Sequence, residues 1–281
     1  MSNKKLLEES NNKIINLIKE NKPFIISRLG GEISITYNFL KNKTLINSYQ
    51  LQNNAGIYNI NKNNYIFYIK YNKECLQNSN FLASFKSLLV NKQNFFINKY
   101  NLDTLYHRIL EPFYCCLENI KPWSHYLINK KVLIINPFVN SFQKQLKNGF
   151  RIFKNKKIFL EEQQFVFYKS FNTTAGNYIH KDWLETFKIM CNDISKLDFD
   201  IALLGCGGYG LPLCNFIKTK LNKSSIYIGG GLQLLFGVMG KRWEVRDDWK
   251  QIIKENGCKF IKPSGDEIIK NCNKVEGGCY W

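Results

Sequence analysis

Hydrophobic and polar positions along the chain fall into two rhythms that alternate. Residues Asn12 to Glu20 place Ile14, Ile15, Leu17 and Ile18 at helical spacing, and Pro23 closes that segment before Phe24-Ile25-Ile26 begins a strand. The strand runs into Ser27-Arg28-Leu29-Gly30-Gly31-Glu32, and Ile33 to Lys41 is helical again. From Asn53-Asn54-Ala55-Gly56 to about Arg108 the pattern is aromatic-rich and mostly helical, which places Tyr65, Phe67, Tyr68 and Tyr71 in the core.

A boundary falls near Ile128-Asn129-Lys130. After it, Lys131 to Ile135 reads as a buried strand ending in Asn136-Pro137-Phe138, followed by a helix over Ser141 to Phe153. A strand near Ile158 to Tyr168, a helix from about His180 to Ile194 and a strand leading to Gly205 continue the alternation. Such an order predicts a Rossmann-like α/β fold: a mainly parallel sheet flanked by helices, a helix-rich N-terminal part, and ligands at the carboxyl ends of the strands. Residues 1–129 form an N-terminal lobe carrying the RLGGE turn, and 130–281 a lobe with glycine-rich loops, the two expected to pack as one unit.

The most informative segment is Phe199 to Lys218, where an apolar run meets a glycine cluster that opens onto an amphipathic helix. Gly205, Gly207 and Gly210 have the G-x-G-x-x-G spacing, in which absent β-carbons let a phosphate approach backbone N–H groups at a helix N-terminus. The same glycines equally suit a tight strand-to-helix connection with no ligand. The next strand, Ser224 to Ile228, ends in Gly229-Gly230-Gly231 with no acidic residue to grip a ribose. That counts against NAD, flavin or a methyl-donor nucleoside bound in the usual manner. Two adjacent glycine edges leave room for a diphosphate or a sugar.

Two further constellations carry candidate chemistry. Arg28 can grip a phosphate through two N–H groups, and Glu32 can take a proton or hold a cation; the two could also simply pair across their turn. The run Gly229-Gly230-Gly231-Leu232-Gln233, with Arg242-Trp243 behind it, offers an amide and an Arg-Trp pair for a diphosphate and a ring, or a core tryptophan beside a surface charge. Asp247 and Asp248 suit a helix N-terminus, with Asp247 able to reach a site beside Arg242.

Composition narrows the classes. The net charge is +18, but only five of the 40 basic residues are Arg, and the excess of Lys, Asn and Ile points to a solvated surface. Nucleic-acid binding is therefore not expected. No apolar run approaches the ~18 residues that cross a bilayer, so no transmembrane segment is expected either. The first residues lack the apolar stretch of a secretory signal, and the nine cysteines have no paired metal spacing. Free thiols and a cytoplasmic location follow as expectations.

The order of motifs, RLGGE, NNAG, KKVLIINPF, DFDIALLGCGGYGLPL and IGGGLQLLFGVMGKRW, resembles the GT-D type glycosyltransferase-like proteins found with polysaccharide and glycan assembly genes. The likeness spans about Ile25 to Trp249. It implies a transferase that moves a sugar from a nucleotide-diphosphate donor to a glycan hydroxyl. By position, Arg28, Gly30 and Glu32 would form the donor-phosphate and metal turn and Gly205, Gly207, Gly208 and Gly210 a second phosphate edge, with Gly31 a further substrate-binding candidate. Asn54, Gly205, Gly207, Gly208, Tyr209, Gly210, Gly230, Gly231, Gln233 and Arg242 would bind substrate. Glu32, then Asp247, would serve as base, and Mn²⁺ or Mg²⁺ could sit at Glu32. The chain departs from the family where Gly30 and Gly31 are adjacent, because the usual pattern places an Asp between the two glycines. Other readings of the same features are a non-catalytic nucleotide- or sugar-binding module and an S-adenosylmethionine-dependent methyltransferase.

Overall fold

A computed structural model describes residues 3–43, 49–85 and 89–281. Seven strands form one sheet: β1 (Ile25–Arg28), β2 (Phe81–Ser84), β3 (Thr104–Tyr106), β4 (Val132–Asn136), β5 (Phe165–Lys169), β6 (Ile201–Leu204) and β7 (Ser224–Tyr227). Their order across the sheet is β3-β2-β1-β7-β6-β4-β5, and every pairing is parallel. This is a Rossmann-like α/β architecture. The principal helices are α1 (Asn3–Glu20), α2 (Ile33–Asn42), α3 (Tyr49–Ala55), α4 (Lys62–Asn78), α5 (Val90–Tyr100), α6 (Phe113–Leu117), α7 (Val139–Lys147), α8 (Trp183–Ser195), α9 (Gly210–Leu221), α10 (Leu232–Leu235), α11 (Lys241–Glu244) and α12 (Asp247–Asn256).

The central strands are apolar without interruption because both faces are covered. Alternate residues serve opposite cores: Ile26, Ile134, Leu203 and Ile226 pack with α1, α7 and α12, whereas Ile25, Ile135, Leu204 and Tyr227 pack with α4, α8 and α9. β1, from the first half of the sequence, pairs with β7, from the second, so one sheet crosses the boundary at 129/130.

Several expectations need correction. The stretch before Arg108 is not only helical, since it holds β2 and β3. β3 forms one sheet edge with β2 beside it, and they bury only one and two residues, too few to leave a period in the sequence. The strand expected over Ile158 to Tyr168 is β5, shifted towards the C-terminus, with turns before it. It is half-buried at the opposite edge, which blurs its apolar signal. The helix expected over Ser141 to Phe153 ends at Lys147. Phe67 lies on the outer face of α4 and is exposed, while Tyr65 and Tyr68 are buried. Among the described residues no helix is long and apolar enough to cross a membrane.

Candidate functional site

The site follows from the topology. β4 sends its connection outward to β5 and β6 sends its own inward to β7, so a crevice opens above the carboxyl ends of this adjacent pair. Its two lips are tied together, Asn136 Nδ2 donating to the Gly205 carbonyl at 2.7 Å. A cavity of about 540 Å³ runs from here across the ends of β7 and β1, within the size range of small-molecule sites.

Arg28 ends β1 at this cavity. Its Nη1 donates to the Ile228 carbonyl at 3.0 Å, and its guanidinium lies 4.8 Å from the centre of the Phe85 ring and 5.8 Å from that of Tyr227. Nε is buried and has no partner. Glu32 opens α2 beside it. Burial pushes the Glu32 carboxyl up from its ordinary value, against the opposing pull of its own backbone N–H, Arg28 and Tyr227. Tyr227 donates its hydroxyl to the Gly207 carbonyl at 2.8 Å and stands 3.5 Å from Oε1 of Glu32.

The triple glycine after β7 explains how these groups fit. A β-carbon on Gly229 would overlap the Arg28 guanidinium; one on Gly230 would strike the Tyr280 ring; one on Gly231 would overlap the Glu111 carboxylate. Gly229 also has φ +77°, a conformation that suits glycine. Each absent side chain thus makes room for one functional group. Tyr280 in turn carries Arg242, whose guanidinium lies 4.7 Å from the ring centre, with Nη1 3.3 Å from the hydroxyl. Arg242 pairs with Glu276 as well.

Of the residues singled out in the sequence, Arg28, Gly30, Gly31, Glu32, Asn54, Gly205, Gly207, Tyr209, Gly230, Gln233 and Arg242 line this one cavity. Four others do not. Gly208 and Gly210 serve packing, one against Ile57 and the other against the Tyr227 ring, and Gly231 seats Glu111. Asp247 stands on the first turn of α12 with its side chain 96% exposed and paired with Lys250; it is not part of the cavity wall, because the solvent face of α12 carries it away.

Several lining residues left little trace in the sequence. Asn136 ends strand β4 and Ser170 follows β5, where the end of a parallel strand is itself a signal. Glu276 and Tyr280 come from the C-terminal segment and reach the site by long-range packing alone. Glu111 was not foreseen either. Burial raises its carboxyl to about 7 despite Arg28, Arg108 and Arg246 nearby.

The metal expectation meets a poor donor set. Glu276 is engaged by Arg242, which leaves Glu32 as the one lining carboxylate without an ion pair among the described residues. Among the described residues no group of three or more His, Cys, Asp or Glu could hold a metal ion. These residues form no protein cage for Mn²⁺ or Mg²⁺; toward a cation that arrives on substrate phosphates they supply one carboxylate, Glu32.

No protein-family model, no curated protein and no solved structure matches the chain.

Proposed function

We propose that the protein is a glycosyltransferase that moves a sugar from a nucleotide-diphosphate donor to a glycan hydroxyl. The observation that carries this reading is the pairing of two arginines, Arg28 and Arg242, with one half-buried carboxyl, Glu32, on the wall of a single crevice at the strand ends. A diphosphate needs charge-assisted donors, and an acceptor hydroxyl needs a base whose pKa lies closer to neutrality than that of a solvated carboxylate. Arg28 supports the first role through its unspent Nε, and Arg242 through its place on the Tyr280 ring. Burial suits Glu32 to the second.

In the reaction, the acceptor oxygen attacks the anomeric carbon and forms the new C–O bond. The bond from that carbon to the diphosphate oxygen breaks, and its electron pair leaves with the diphosphate. Glu32 takes the hydroxyl proton. Arg28 and Arg242 stabilise the departing charge.

A thermal-shift screen of nucleotide diphosphates, nucleotide sugars and S-adenosylmethionine, each with and without Mn²⁺ or Mg²⁺, tests the reading. A ligand at 100 times its Kd adds about 2.7 kcal/mol of stability, which moves the melting temperature by several degrees. Stabilisation by a nucleotide sugar, followed by its consumption when a glycan is added, is the expected result. Binding without consumption identifies a non-catalytic module. A shift with S-adenosylmethionine alone identifies a methyltransferase.

A further inference from the structure

The cavity is chemically divided. Its four charged lining residues among those described, Arg28, Glu32, Arg242 and Glu276, all stand at the β1 and β7 end: Arg28 and Glu32 follow β1, and Arg242 and Glu276 are held there through Tyr280 on Gly230. The half above β4 and β5 is lined by neutral residues, including Asn136, Phe138, Ser170, Phe171, Asn172 and Thr174. β5 lies three strand spacings from β7, about 14 Å.

Within the neutral half, hydrogen-bonding capacity is left unspent. Ser170 is 3% exposed, and its hydroxyl has no partner. Buried hydroxyls without partners are costly and uncommon, so this one marks a position where a ligand atom can complete the bonding. Asn172 accepts from the Thr174 hydroxyl at 2.7 Å through Oδ1. Beyond Pro137, Ser170, Phe171 and Asn172, which line both, a second cavity of about 540 Å³ continues past Tyr178, and there charge returns with Lys169, Asp266, Glu267 and Lys270, so the neutral stretch is confined to the first cavity.

Resting on the transferase reading above, we infer that the donor lies across the sheet in one direction: diphosphate between Arg28 and Arg242, sugar towards Glu32, and nucleoside over the ends of β4 and β5. A nucleoside is neutral, has an aromatic ring and presents several donors and acceptors, which matches the uncharged half. The sugar then meets the base.

The test measures the binding of the five common nucleoside diphosphates and of inorganic pyrophosphate to the wild-type protein and to Ser170→Leu, Ser170→Ala and Arg28→Gln. Ser170→Ala removes an unpartnered hydroxyl, so it folds as the parent does and keeps the test valid if Ser170→Leu fails to fold. The expected result is a nucleoside diphosphate weakened about fivefold by Ser170→Ala and at least tenfold by Ser170→Leu, with pyrophosphate unchanged within twofold. Arg28→Gln weakens both probes alike. Undiminished nucleoside diphosphate binding in both Ser170 variants overturns the inference and leaves the transferase reading standing. So does a Ser170→Leu protein that binds the donor normally but no longer transfers, which would place the acceptor in the neutral half. A wild-type protein that binds no nucleotide at all removes the transferase reading itself.

Discussion

The guanidinium of Arg28 occupies the place where a β-carbon would stand on Gly229, a residue 201 positions further along the chain. The contact joins the end of β1 to the turn after β7, two strands paired in parallel at the middle of the sheet. It also explains why a cation can sit above the sheet end with its Nη1 held by the next carbonyl, that of Ile228.

Substitutions at the triple glycine should therefore be costly for reasons of space. Gly229→Ala meets Arg28 and a positive φ, and Gly231→Ala meets the Glu111 carboxylate. Each should lower stability by about 1–3 kcal/mol in urea unfolding. Gly31→Ala, with open space where its β-carbon would go, should stay within about 0.5 kcal/mol of the parent. Equal losses at all three positions would show that the crowding at Gly229 and Gly231 is not what requires glycine.

Stability should fall as pH rises through the neutral range, and Glu111 is one source. Its carboxyl titrates near 7 in the folded chain and near 4.5 when unfolded, so between those values the folded state holds the extra proton. The contribution is fully present below about 4.5 and is lost as pH passes about 7. Urea midpoints measured from pH 5 to 8 should decline for the parent and decline less for Glu111→Gln.

Glu32→Gln should separate binding from transfer. The amide is neutral and of the same shape, so it removes the burial cost of a carboxylate, and the variant should melt at or above the parent temperature. Donor-induced stabilisation should persist while transfer drops about 10²- to 10⁴-fold, the usual worth of a general base. Full turnover by this variant would take Glu32 out of the mechanism.

Asp247→Asn should leave transfer and donor binding unchanged, because the side chain is solvated on α12 and touches Lys250. Its loss removes one exposed ion pair, worth less than about 1 kcal/mol. A large loss of rate would require a rearrangement that brings α12 to the cavity.

Donor binding should not depend on divalent metal. Among the described residues Glu32 is the one lining carboxylate without an ion pair, and Arg28 and Arg242 already supply positive charge for the diphosphate. Titration of the stabilising nucleotide with and without EDTA should give affinities within about threefold. A tenfold or greater loss on chelation would assign the metal a place on the donor's own phosphates.

The sequence by itself determined the central strands, because a parallel strand covered on both faces must be apolar at every position, as Val132 to Ile135 and Ile201 to Leu204 are. It also determined the turns that end them, since Gly205, Gly207 and Gly229 mark where the backbone must bend sharply or pack closely. The edge strands β3 and β5, and β2 beside the first of them, were lost or displaced, being only partly buried and so without a distinct period. Only the tertiary structure decided the strand order that sets β1 beside β7, and with it the meeting of Arg28, Glu111, Tyr280 and Arg242 around three glycines. Only it carried Asp247 out to solvent. Spacing in sequence reports local geometry, whereas these contacts arise when separate apolar faces are buried together, a choice made between segments up to 200 residues apart.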